Sequence, residues 1–260
     1  MTPHPPTPSA FLRVFFTLFA LYSGVCVARA DVSEPDAAAP AFPWHRHIVT
    51  TVFWIGADPN HLTATQNFSS AWDAQWIKTY GGTDAPDRHA GLLPKRFAPT
   101  ENPFYVALPF NDVSNPDLAR KYVPWYSAVL HNDHPYVSQC KGRWVQIRGG
   151  DGHIAYAQWQ DVGPLRTDHA AYVFGSDRPR DFTRAGLDIS PAVRDYLGLS
   201  DKEETDWRFV EDADVPAGPW RTYAEQAVIY AALKAKERQL ATDWRPAPKQ
   251  PQAVELDTAE

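Results

Sequence analysis

Two aspartates give the chain its best opportunity for chemistry. Asp161 sits in Gln160-Asp161-Val162-Gly163-Pro164, and Asp188 in Gly186-Leu187-Asp188-Ile189-Ser190-Pro191. A carboxyl whose pKa is raised by burial or by a like charge holds a proton near neutral pH and can give it to a leaving oxygen, as glycosidic bond cleavage requires. The two aspartates do this for each other if they share a groove. Against this, the helix that starts at Ser190 favours the ionised form of Asp188 through its N-terminus. The structural alternative has Asp161 accepting from turn amides before Gly163-Pro164 and Asp188 accepting from amides ahead of the helix. The sequence leaves both readings open.

Other reactive residues are less well placed. Cys140 lies in Ser138-Gln139-Cys140-Lys141-Gly142, which lacks the Ser-His-Gly that precedes the nucleophile of wall cross-linking enzymes, so a buried structural thiol is expected. His131-Asn132-Asp133-His134 offers two imidazoles and a carboxylate without the spacing of a zinc protease motif, and reads as a polar loop. His45 and His47 flank Arg46 at a strand start, pointing to one side; no metal is expected there. Asn111-Asp112 follows a strand end and can line a groove, or form an Asx-turn before the next helix. Gly149-Gly150-Asp151-Gly152 leads into a strand and not a helix, so it is no phosphate loop. No cofactor is implied.

The elements that must position these residues are mainly strands with peripheral helices. β-branched and aromatic runs at His47–Ile55, Phe104–Phe110, Arg143–Arg148 and Ile154–Asp161 read as strands, the last two joined as a hairpin through the glycine-rich turn. Ser69–Thr79 reads as a helix with Trp72 and Trp76 on one face. Asn115–Tyr122 opens with an Asn cap and Pro116, and the helix from Ser190-Pro191 stops at Gly198. A last helix, Trp220–Leu240, places Trp220, Tyr223, Ala227, Tyr230 and Ala231 on one stripe and is expected to pack across the strands.

The ends read differently. Arg13 precedes an apolar run to Ala28, and Ala28-Arg29-Ala30 is a small-x-small cleavage site, so residues 1–30 read as a secretory signal. The run is short for a membrane span and Cys26 sits in a poor lipoprotein context, so an exported, periplasmic or extracellular protein with no stable span after cleavage is expected. Residues 31–43 read as a Pro/Ala-rich linker, 44–240 as the folded domain and 241–260 as a disordered tail. A net charge of -6 and the lack of a basic run argue against nucleic acid as a partner. Ten Trp, 11 Tyr and 13 Phe supply core volume and platforms for flat, apolar ligand faces, which suits sugars or peptides, and oligomeric state has no sequence signal.

The stretch Gly142–Leu199 carries a family resemblance. Trp144-Val145-Gln146-Ile147, then Asp161-Val162-Gly163-Pro164, then Leu187-Asp188-Ile189-Ser190 followed by Tyr196-Leu197-Gly198 resembles the barrel of rare lipoprotein A, expansins and membrane-bound lytic transglycosylase A. The resemblance implies a six-stranded double-psi β-barrel, with N-terminal extensions and the C-terminal packing helix added, whose groove binds cell-wall polysaccharide. It implies that Asp188 is the acid on which glycan cleavage or wall loosening depends, with Asp161 as the second carboxylate. The function it implies is a lytic transglycosylase-like or glycan-cleaving enzyme, or alternatively a non-catalytic glycan-binding or scaffold module of expansin type. Asn111, Asp112, Trp159 and Tyr172 are the candidate substrate contacts. Val162 stands where the family has Arg and Leu165 where it has Phe, and the Arg166–Arg184 loop is longer than in compact members.

Overall fold

A computed structural model describes residues 42–59, 66–88 and 92–243. The signal segment 1–30, nearly all of the 31–43 linker and the tail beyond 243 lie outside the described residues. The strands are β1 (His45–Val52), β2 (Tyr105–Leu108), β3 (Trp144–Arg148), β4 (Ile154–Val162), β5 (Ala185–Ile189) and β6 (Lys202–Val210). The helices are α1 (Trp76–Tyr80), α2 (Pro116–Tyr122), α3 (Ala128–Asp133), α4 (Ala170–Val173), α5 (Pro191–Leu197) and α6 (Pro219–Asp243).

The strands close into a mixed six-stranded barrel in the order β1-β5-β2-β4-β3-β6. Two neighbouring pairs are parallel, β1 with β5 and β2 with β4, and the other four are antiparallel. Closure leaves none of the six described strands with an edge open to pairing with another chain. β4 and β6 alternate buried and half-buried residues, the period-two pattern of a strand with one face on a core. β2 is buried throughout because elements cover both of its faces.

The interior is aromatic. Phe209 lies 5.8 Å from Trp159, 5.3 Å from Trp207 and 5.1 Å from Trp125, and Phe174 stacks on it at 5.7 Å. Phe42, at the end of the stretch read as linker, packs edge-on against Trp125 and Phe209. Trp220 anchors the first turn of α6 against Phe104, Tyr156 and Tyr196, whereas Val228 and Ile229 further along are 71% and 61% exposed.

The β3–β4 hairpin, α2 and α5 form where the sequence places them, with the Ser190 hydroxyl accepting from the Val193 amide and Gly198 in the left-handed region at the end of α5. Other readings are corrected. Only Trp76–Tyr80 of the expected Ser69–Thr79 helix is helical, because side chains compete for its first turn: Ser70 Oγ accepts from Trp72 N and Asp73 Oδ1 from Gln75 N. Asn115 stands at the N-cap of α2 with Pro116 following, but its side chain makes no capping bond; its amide donates instead to the Asn111 and Thr167 carbonyls. His131–Asp133 belong to α3, capped by Ser127, and not to a loop. His45 and His47 do not point the same way, since the β1–β6 register shifts between His45 and Ile48 and His47 takes a φ of 52°. His45 is buried, stacked 4.1 Å from Trp207, while His47 is exposed. β6 was hidden by its charged opening, Lys202-Glu203-Glu204.

Candidate functional site

The site forms where the two parallel strand pairs meet. On β2, Ala107 is register partner to Asp161 of β4 on one side and to Asp188 of β5 on the other. The two aspartates therefore stand level, two strand spacings or about 10 Å apart at Cα, with a methyl side chain between them. Both line one groove of about 710 Å3. Gly163 lines the same groove beside both strands: a Cβ there would make ordinary contact with Asp188 Oδ2 at 3.4 Å and with Ala107 Cβ at 3.8 Å.

Each carboxyl is held from one side. Thr51 of β1, the register partner of Asp188, donates its hydroxyl to Asp188 Oδ1. Asp161 Oδ1 accepts from the amides of Ala71, at 2.8 Å, and Val162, at 2.7 Å. The Ala71 bond is a further reason why helix does not start at Ser69: that amide is directed at Asp161.

Burial dominates the electrostatics. Asp188 is pushed up to about 7 by loss of water, with the charges of Asp161 and Asp181 adding and the Thr51 hydroxyl opposing. Asp161 is pushed up to about 6 by burial, against its two amide donors and the charge of Lys141. The opposing pull of the α5 terminus does not win. That terminus is capped by Ser190, and the Asp188 carboxyl is bonded to Thr51 instead. The result is a carboxyl that carries a proton near neutral pH beside one that gives it up slightly earlier.

The opposite wall is built from the chain between β1 and β2, including Trp54, Gly56, Asn67 and Thr83. A buried tie fixes it. Tyr105, two residues before Ala107, donates its hydroxyl to Asp84 Oδ2 at 2.7 Å and accepts from the Ile55 amide at 3.3 Å. Asp84 also pairs with Arg88, which in turn donates to the Leu92 carbonyl. Gly56 takes a φ of +80°, and a Cβ there would meet Thr83 at 2.6 Å, so the two wall segments approach at a position that requires glycine.

The structure brings together Asp161 and Asp188 but places the other sequence candidates elsewhere. Trp159 is fully buried in the core, its indole donating to the Asp161 carbonyl at 2.8 Å, so it supports the site from behind. Tyr172 is also fully buried, donating to the Gly186 carbonyl and accepting from Trp207 Nε1. Asn111 Oδ1 accepts from the Val113 and Ser114 amides and from Trp72 Nε1, the Asx-turn alternative. Asp112 accepts from Ser138 Oγ and the amides of Gln139 and Cys140, tying down that loop. Thr51, Ala107 and the wall residues have no sequence signal, because register and loop packing bring them in.

Among the described residues no group of three or more His, Cys, Asp or Glu is arranged to hold a metal ion, and no helix is long and apolar enough to cross a membrane. No family model and no curated protein matches the chain.

Proposed function

We propose that the protein is exported and acts on cell-wall polysaccharide, with Asp188 as the general acid and Asp161 as its partner in a double-psi type barrel. The observation that carries the reading is the pair of carboxyls on one groove, flanking Ala107, with Asp188 raised to about 7. The two parallel strand pairs within the closed barrel, and the Leu187-Asp188-Ile189-Ser190 strand that runs into α5, support the barrel type.

In this reading a sugar chain lies along the groove with a glycosidic oxygen at Asp188. The protonated carboxyl gives its proton to the leaving oxygen as the bond breaks. In transglycosylase chemistry the resulting carboxylate then takes a proton from the sugar's own hydroxyl as that oxygen bonds the anomeric carbon, which closes the anhydro ring and restores the acid, so no second base is needed. In hydrolysis Asp161 activates a water instead. Incubation with purified peptidoglycan separates these outcomes: anhydro-sugar ends indicate the first and reducing ends the second. Absence of product from folded protein overturns the catalytic reading.

A second reading, a glycan-binding module without turnover, is favoured by the two backbone amides that occupy Asp161 Oδ1. Co-sedimentation with insoluble glycan, without product formation, is its signature.

A further inference from the structure

Resting on the glycan reading above, we infer that the groove selects sugar units without a free carboxylate, so that it takes a wall-glycan segment of N-acetylated sugars whose lactyl carboxyls are amide-linked to peptide, and not a glycan of acidic sugars. Three carboxyl groups face this one cavity, Asp161 and Asp188 together with Asp58. The Asp58 carboxylate is held by the Gln66 side chain, whose Nε2 donates to Asp58 Oδ1 at 2.9 Å. The described lining otherwise includes the aromatic residues Phe53 and Trp54 and neutral polar groups from Gln66, Asn67, Ser69 and Thr83, with no Lys or Arg among the described lining residues. Lys141 acts on Asp161 electrostatically, but its ammonium lies 4.0 Å from Asp73 Oδ2 and it is not among the described lining.

The consequence is asymmetric for the two kinds of sugar. A neutral sugar is served by hydrogen-bond acceptors, carboxylates included, and by an apolar surface for its ring face, and the groove offers both. A sugar carboxylate entering the same space gives up water without gaining a guanidinium or ammonium in exchange. It also comes within roughly one Debye length, about 8–10 Å at moderate salt, of other carboxyl groups.

Calorimetric titration of the Asp188→Asn protein, which blocks turnover, with hexamers of N-acetylglucosamine and of galacturonic acid tests this. At low salt the acidic hexamer is expected to bind at least about tenfold more weakly, and the gap to narrow at high salt and in an added Asp58→Asn background. Equal or tighter binding of the acidic hexamer overturns the charge selection and leaves the glycan reading standing. A gap indifferent to both salt and Asp58→Asn also overturns it, since the discrimination is then not electrostatic. Binding of neither hexamer overturns the glycan reading itself, and this inference with it.

Discussion

Asp161 and Asp188 stand opposite the same residue, Ala107, from the two strands that flank β2. This relationship sets their spacing through the barrel's register and not through any flexible segment. Their order in the chain is 27 positions apart, yet the fold places them level, facing one cavity.

The raised pKa of Asp188 is also a statement about stability. Its folded value of about 7 lies above its ordinary value of 3.8. Proton binding at Asp188 therefore stabilises the fold fully below about pH 4, and this contribution is lost as pH rises through about 7. Asp188→Asn is expected to be more stable than the parent at pH 8, by on the order of 1–2 kcal/mol for a partly exposed group, and to match it at pH 4. Thermal melts across pH check this, and a variant less stable than the parent at pH 8 contradicts it.

Thr51 tunes the same proton. Its hydroxyl donates to Asp188 Oδ1 and so favours the carboxylate. Thr51→Val is expected to move the alkaline limb of the pH–rate profile upward by roughly half to one pH unit, while Thr51→Ser keeps the parent profile. An unmoved limb in the valine variant shows that Thr51 does not act through Asp188.

Much of the frame was legible in the sequence. The β3–β4 hairpin and α5 announce themselves through a glycine-rich turn and through Ser190, Pro191 and Gly198, which act within a few residues. The groove was legible only in its two aspartates. Trp159 and Tyr172 are the aromatic types that sugar sites use, yet both serve the core, because composition does not say which face of an element is inward. The β1 bulge at His47 and the break in helix before Trp76 follow from partners far along the chain, Asp206 for the His47 amide and Asp161 for the Ala71 amide. Long-range pairings of this kind leave no periodic trace.

The wall tie gives a third prediction. Tyr105→Phe removes the hydroxyl shared by Asp84 and the Ile55 amide while keeping the ring that packs 5.3 Å from Trp76. A cost of roughly 1–3 kcal/mol is expected from the buried groups left unpaired. A raised KM for glycan with kcat little changed is expected as well, since the groove wall loosens and the aspartates do not. An unchanged KM separates the wall from substrate binding.

Cys140 is buried, and burial raises its pKa well above the ordinary range, with Asp112 adding to the effect. Alkylation of the folded protein is expected to be slow and to become fast on unfolding. Cys140→Ser is expected to cost about 1–2 kcal/mol with activity per folded molecule unchanged. Rapid labelling of the native protein makes this thiol functional instead.

The central claim is that Asp188 delivers a proton in glycan cleavage. The most direct measurement is the pH–rate profile on purified peptidoglycan for the parent and for Asp188→Asn, with folding verified by circular dichroism. The account predicts a parent rate that falls as pH rises through about 7 and a loss of at least about a hundredfold in the variant. Equal rates for the two proteins, or a parent rate that rises through the same range, contradict it.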